Sequence, residues 1–204
     1  MTKRFVSDVD IDFGERDDIL QHIVTTPAAI RTTKQTRRHN SGVHVTDIPY
    51  DPVEDMAAID YNIAEERGYV KLDLLNVWIY KLVRDERHLV ELMREPDWSR
   101  LQDRELFEKL IQIGGQWNTL QQVNEPINSI PRLAMFISLI RPGKKHLIGN
   151  TWREIAETIW DRDDEGYSFK RSHAVAYAQL VVVHMNLLEE NPDAVQTTAF
   201  ASQE

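Results

Sequence analysis

The sequence predicts an α+β protein in which a small mixed β-sheet precedes an α-helical region. Apolar and polar residues alternate in several runs of the first third, as in SDVDIDF at residues 7–13, which is typical of strands. From about Val77 the spacing of apolar residues becomes helical. A length of 204 residues and a hydrophobic content of 42% suit a folded chain with one sizeable core or two small ones.

The predicted sheet is built from alternating runs. A strand over about residues 4–13 leads through Gly14 into a short amphipathic helix that Pro27 is expected to end. Residues 31–40 are predicted to form a basic loop, because they are polar throughout and contain no regularly spaced apolar residues. Further strands are predicted over residues 41–48, 56–63 and 69–75.

The remainder of the chain is predicted to be helical. Helices are expected over residues 77–95, 104–113, 130–140, 151–160 and 172–190. Thr151 and Glu154 have the spacing of a capping box. The last helix is apolar nearly all round and should therefore be buried. We accordingly predict one region over residues 1–95, a second over 96–192 and a flexible tail over 193–204.

Composition excludes several classes of function. The chain has no cysteine, which rules out disulfides, thiolate metal sites and a cysteine nucleophile. No stretch approaches the roughly 18 apolar residues of a membrane helix, and the N-terminus lacks the apolar core of a secretory signal. We therefore expect a cytoplasmic protein without a membrane partner. A net charge of −9 disfavours a generic nucleic-acid coat.

Positive charge is nevertheless concentrated in three islands. They lie at residues 31–39, 141–146 and 170–173. If the fold brings them together, they can hold a polyanion; taken alone, the first is equally a mobile surface loop.

The opening run places Asp8, Asp10 and Asp12 on one face of a strand. Such neighbours lie about 6–7 Å apart, and two like charges at that distance repel by about 2.5 kcal/mol at an effective dielectric of about 20. A row of this kind is either a solvated strand face or a site that binds a cation.

SDVDIDFGERDDILQHI, residues 7–23, resembles the catalytic signature of the C-family bacterial replicative DNA polymerases, the alpha subunit of DNA polymerase III. Other segments resemble further motifs of that family and follow in the family's order. They are the basic strand entry at residues 37–45, the segment of the third catalytic aspartate at 58–75, the fingers motif ending in Arg-Pro-Gly at 136–143, and the Ser-His-Ala helix at 167–178.

The resemblance implies a nucleotidyltransferase-like palm followed by a fingers-like helical region. It also implies that Asp10, Asp12 and Asp73 are the catalytic metal ligands, with Mg²⁺ or Mn²⁺ as the cofactor. Asp8 matches a position that is acidic in the family but is not one of its ligands. A bound ion would offset the repulsion within the aspartate row.

The resemblance further implies contacts to phosphate or nucleic acid. The matching residues are Arg37, Arg38, His39, Lys71, Arg141, Lys170, Arg171 and His173. Cations at these positions would neutralise phosphate charge during transfer. Without the resemblance, His173 is equally explained as a capping or core histidine.

The chain also departs from the family pattern. Only Met1 to Val6 precede the aspartate strand, so we expect the Gly-Ser motif that grips the triphosphate to be missing. The family's long insertion is reduced to about residues 20–36, and its motif before the fingers survives only faintly at residues 110–114. We likewise expect no counterpart of the family's phosphoesterase, thumb and C-terminal DNA-binding domains.

Two functions remain open on this basis. One is a truncated domain for metal-dependent nucleotidyl or phosphoryl transfer on DNA, acting in replication with a second protein that supplies missing polymerase elements. The other is a palm and fingers reused, for instance in a phage, as a non-polymerising DNA-binding or DNA-modification factor. A transferase that displaces pyrophosphate from an activated base is one example. Both imply DNA or a nucleotide as partner.

Overall fold

The computed structural model describes residues 9–161 and 169–192, and of Val9 and Asp10 it describes the backbone alone. The predicted tail at 193–204 lies outside the described residues, as does Asp8.

The chain forms two compact units that meet in sequence between Leu82 and Val83, whereas the sequence analysis placed the division after residue 95. Each unit is described by itself below. The first contains strands and short helices and the second contains helices, so the α+β class is confirmed.

The first unit is organised around a mixed four-stranded sheet. The strands of this unit are β1 Val9–Phe13, β2 Thr26–Arg31, β3 Thr36–His44, β4 Tyr50–Asp51, β5 Met56–Ala57 and β6 Lys71–Asn76. The strand order of the four-stranded sheet is β1-β6-β3-β2; β1 runs parallel to β6 and the other pairs are antiparallel. Strands β4 and β5 form a separate antiparallel pair.

Three short helical segments accompany the sheet. They are α1 Arg16–Leu20, α2 Tyr61–Glu66 and a 3₁₀ helix at Trp78–Leu82. Helix α2 begins where it does because the Asp60 carboxylate accepts a hydrogen bond from the backbone N–H of Asn62, at 3.0 Å. It is followed by Gly68, whose positive φ of 89° is a conformation that glycine adopts without strain.

Two of the predictions for this unit are wrong. Residues 36–40 are not part of a loop but begin β3, which pairs with β2 in a hairpin. The alternating run at 56–63 contains only the two residues of β5 before α2 begins. In both places pairing with a distant segment decides the conformation, and the local residue pattern does not report that pairing.

Strand β3 carries a large bulge. The β3 partner of Pro27 is Val43, whereas the partner of Ala29 is Arg38, so residues 39–42 all lie opposite Ala28. Bulges redirect side chains and are frequent beside functional sites. This one displaces His39, Asn40 and Ser41 from regular strand alternation, whereas Gly42 keeps a regular pairing with Asp73 of β6.

The second unit is helical and has an apolar core in which the helix at Ile130–Leu139 packs along the helix at Arg171–Glu190. Phe107 and Phe136 are completely buried there, with their ring centroids 6.4 Å apart. The helices are α3 Glu86–Leu92, α4 Arg104–Lys109, α5 Trp117–Leu120, α6 Ile130–Leu139, α7 Trp152–Thr158 and α8 Arg171–Glu190, with 3₁₀ turns at Trp98–Gln102, Gly114–Gln116 and Lys145–Leu147.

Two local predictions for this unit are confirmed and one is confirmed in part. The capping box of Thr151 and Glu154 is present at the start of α7, and α8 covers nearly the residues expected. Helix α8 is buried continuously from Leu180 to Leu188, but its first half carries exposed side chains such as Val175. Within residues 9–161 and 169–192, no helix combines the length and apolarity needed to cross a membrane.

Candidate functional site

The candidate site lies where β1, β6 and β3 run side by side in the first unit. The register pairs Asp10 of β1 with Asp73 of β6, and Asp73 in turn with Gly42 of β3. Since paired positions share a face of a sheet, positions 10, 42 and 73 lie on one face, together with position 12. The backbone thus brings the three aspartates named by the resemblance to neighbouring positions.

Asp73 is a buried carboxylate with a partner on each oxygen. The Lys71 ammonium donates directly to Oδ2, and the Ser41 hydroxyl donates to Oδ1 at 2.8 Å. Lys71 and Asp73 are two residues apart on β6 and therefore share its face. The side chains of both are largely shielded from solvent, with 15% of Lys71 and 12% of Asp73 exposed.

Lys71 is held in a tight enclosure. Its Nζ lies 5.6 Å from the centre of the Tyr61 ring, a distance at which a cation–π attraction operates. A Cβ atom added at Gly42 would lie 2.9 Å from Lys71 Cδ and 3.0 Å from His39 Nδ1, so only glycine leaves room for both side chains.

His39 sits beside this pair as a neutral imidazole. Its Nδ1 accepts hydrogen bonds from the backbone N–H groups of Gly42 and Ser41, at 2.9 and 3.3 Å. The contact of Nδ1 with Asp73 Oδ1, at 3.7 Å, is therefore one of two acceptors and not an ion pair. Burial and then the charge of Lys71 lower the pKa of His39, against a smaller opposing effect of Asp73.

The two remaining aspartates are described less completely. Asp12 is half-buried, and its charge adds to burial in raising the pKa of Tyr80. Of Asp10 only the backbone is described. Among the described side chains, no three His, Asp or Glu residues converge on one point where they would hold a metal ion.

A cleft of about 490 Å³ opens next to the bulge. Arg16, Arg38, His39 and Asn40 line it, together with the acids Asp17 and Asp55. Arg16 is fixed by donating from Nη1 to the Asn40 carbonyl at 2.5 Å, and none of the residues that the structure describes offers a hydrogen-bond partner to its buried Nε. The cleft therefore contains two guanidinium groups, a type of group that binds anions, and that of Arg38 is paired with Asp55.

Two exposed arginines of β3, Arg37 and Arg38, already have protein partners. Arg37 donates to the Asn40 side chain at 3.2 Å. Arg38 forms an ion pair with Asp55, which also accepts from the Tyr50 hydroxyl. Both arginines flank the bulge on exposed parts of β3.

Three of the predicted binding residues of the second unit, Arg141, Arg171 and His173, lie against aromatic rings. The Arg141 guanidinium lies 4.7 Å from the centre of the Phe169 ring, and that of Arg171 lies 5.8 Å from Trp160. His173 meets the Phe169 ring edge-on at 6.4 Å. Lys170 is the residue that precedes the first turn of α8.

Sequence reasoning missed three residues of the first unit's site. Ser41 lies within the segment at residues 37–45 but has no assigned role there, because its partner Asp73 is 32 residues away in the sequence. Tyr61 and Arg16 reach the site from α2 and α1, and no local pattern indicates that contact.

Comparison with known proteins adds no assignment. No model of a known protein family matches the chain, and no curated protein matches it.

Proposed function

We propose that this chain carries out metal-dependent nucleotidyl or phosphoryl transfer on DNA, in replication or DNA modification, as a relative of the DNA polymerase III alpha palm and fingers. The observation that carries the proposal is the register of β1 against β6. It sets Asp10 beside Asp73 on neighbouring parallel strands, whose spacing of about 4.8 Å allows two carboxylates to share an ion.

Asp10, Asp12 and Asp73 would hold the ion, Mg²⁺ or Mn²⁺. The donor set fits such an ion in its chemistry, because carboxylate oxygens are the ligands that these cations prefer. When bound, the ion would supply Lewis-acid stabilisation of phosphate oxygens.

Three arginines beside the bulge support a phosphate-bearing substrate. Arg16 and Arg37 both donate to Asn40, and Arg38 follows Arg37 on β3, so all three lie next to the stretch of β3 that contacts Asp73. Their guanidinium groups would orient phosphates of DNA or a nucleotide and offset negative charge. His39, being neutral, would act as a hydrogen-bonding group. In the second unit, Arg141, Lys170, Arg171 and His173 would add contacts to nucleic acid.

Metal titration of the full chain tests the metal site. Thermal unfolding with and without Mg²⁺ should show stabilisation of the wild type and its loss in Asp10→Asn/Asp12→Asn. The matched control is Asp17→Asn/Asp18→Asn, which removes two exposed acids from α1 outside the strand. Equal stabilisation of all three proteins would remove the metal-site proposal.

Chemistry is tested separately. A primed DNA template with nucleotides and Mg²⁺ should yield primer extension or released pyrophosphate, and Asp73→Asn should abolish it. Metal binding without any product, alone or with a partner protein from the same source, would leave transfer unsupported.

A second candidate is a non-polymerising DNA-binding or DNA-modification factor that reuses the palm. One specific observation favours it: both oxygens of Asp73 already have protein partners, Lys71 and Ser41. A site of that kind is neutralised without a metal. DNA binding that is insensitive to Mg²⁺ and to Asp10→Asn would favour this candidate.

A further inference from the structure

The negative charge of Asp73 is already balanced by a lysine of the protein. Among the proposed metal ligands whose side chains are described, Asp73 is the least exposed to solvent. The Lys71 ammonium group donates a hydrogen bond directly to Asp73 Oδ2. A divalent ion that approached this oxygen would meet an ammonium group already in place.

The position of Lys71 is determined by its surroundings. Lys71 and Asp73 lie two residues apart on β6, so the ion pair closes along one strand face. The Tyr61 ring attracts the ammonium, and the absence of a side chain at Gly42 leaves room for the aliphatic stem. These contacts hold Lys71 over the carboxylate and keep water from it.

We infer that Lys71 is the counter-ion of Asp73 in the metal-free chain and that a divalent cation binds Asp73 only by displacing the Lys71 ammonium group. This inference rests on the proposed metal site and adds to it a residue that regulates occupancy. In the metal-free chain Lys71 neutralises Asp73. In the metal-bound chain its ammonium group is released from Oδ2 and the Ser41 contact on Oδ1 can persist.

The exchange has a thermodynamic signature. Lys71→Met keeps the apolar stem but leaves Asp73 without its cation, so the metal-free variant should be less stable than the wild type. The same variant should bind the ion more tightly, because no ammonium has to be displaced. Loss of a charge-assisted hydrogen bond of this kind corresponds to about a tenfold gain in affinity.

The experiment is a Mn²⁺ titration of the full chain, followed by the electron paramagnetic resonance signal of the free ion. The variants are Lys71→Met and, as matched control, Lys81→Met, which removes a lysine paired with Glu15 in the same unit. We expect about tenfold tighter binding for Lys71→Met and unchanged binding for Lys81→Met.

Two results would contradict the exchange of Lys71 for a metal ion without contradicting the metal site itself. One is unchanged or weaker binding by Lys71→Met while the wild type still binds through Asp10 and Asp12. The other is equal tightening by Lys81→Met, which would reveal a general charge effect. Absence of Mn²⁺ binding in both the wild type and Lys71→Met would overturn the proposed metal site as well.

A second measurement covers the case in which Lys71→Met does not fold. In wild-type protein labelled with ¹⁵N-lysine, the ammonium resonance of Lys71 is identified by its absence from Lys71→Arg. Adding Mg²⁺ should shift or broaden that resonance and leave the resonance of Lys81 in place. An unaffected Lys71 signal at saturating Mg²⁺ would contradict the exchange.

Discussion

The two units of the molecule hold their buried charged groups, Asp73 and Lys144, in different ways. In the second unit, Lys144 donates to the backbone carbonyl of Asp161 at 2.7 Å, and the buried amide of Asn186 likewise donates to the carbonyls of Leu92 and Arg94 at 2.8 and 2.9 Å. In the first unit, buried Asp73 is bonded to the side chains of Lys71 and Ser41.

The two kinds of partner differ in whether they can move away from the buried polar group. A backbone carbonyl cannot leave without unfolding its segment, so the bonds of Asn186 and Lys144 fix chain segments to the core. A lysine side chain can rotate away at the cost of its own contacts. The first unit therefore contains a buried charge whose partner is replaceable. The second unit has an apolar core that includes Phe107 and Phe136.

The largest effect should come from removing part of that core. Phe136→Ala deletes a ring that is fully buried on α6, and such deletions cost about 3–5 kcal/mol of unfolding free energy. Urea denaturation measures the loss. Val175→Ala, at a position on α8 that is 42% exposed, is the control and should change little; similar losses in both variants would contradict the assignment of the core.

The next effect concerns pH and the same core. Burial lowers the pKa of His184 to about 4, while the unfolded chain titrates near the ordinary value of about 6.5. As pH falls through this window the unfolded state binds the proton first, so the second unit should lose up to about 3 kcal/mol of stability between pH 6.5 and 4.

Urea denaturation as a function of pH tests this effect. His184→Gln keeps an acceptor for the Ile111 N–H group, which bonds to Nδ1 at 3.0 Å, and should flatten the pH dependence. His146→Gln, at an exposed position, should leave it in place. An equal slope in all three proteins would show that other groups cause the acid sensitivity.

The smallest effect should come from crowding the site of the first unit. Gly42→Ala places a methyl group against Lys71 and His39, and overpacking of this kind costs about 1–3 kcal/mol. Denaturation of the variant should show a loss in that range. Gly115→Ala is the control, because nothing lies within 4 Å of its added Cβ. No loss in Gly42→Ala would mean that Lys71 is not tightly enclosed.

Local signals account for the parts of the fold that could be predicted. The capping box at Thr151, the long apolar run of α8 and the alternation of β6 each depend on neighbours in sequence, and each was correctly placed. The β2–β3 hairpin is not predicted, because Pro27 indicates the end of a helix and the basic residues after it show no regular spacing of apolar residues.

The candidate site was predictable in part for the same reason. Alternation along the strand puts Lys71 and Asp73 on one face, so their pairing was readable from a spacing of two residues. The enclosure was not readable, because Tyr61 comes from α2 and the bulge in β3 arises from pairing with β2. Contacts between segments distant in sequence leave no periodic signal.

The bulge opposite Ala28 divides the β2–β3 hairpin into two stretches with different registers. Because each stretch is anchored by its own pairing, a change in the number of bulge residues would be absorbed locally and would not slide the outer hairpin along the sheet. The segment that carries His39 and Ser41 is thus a natural position for insertions and deletions, by evolution or by protein engineering, that reshape the cleft while the strand scaffold is conserved.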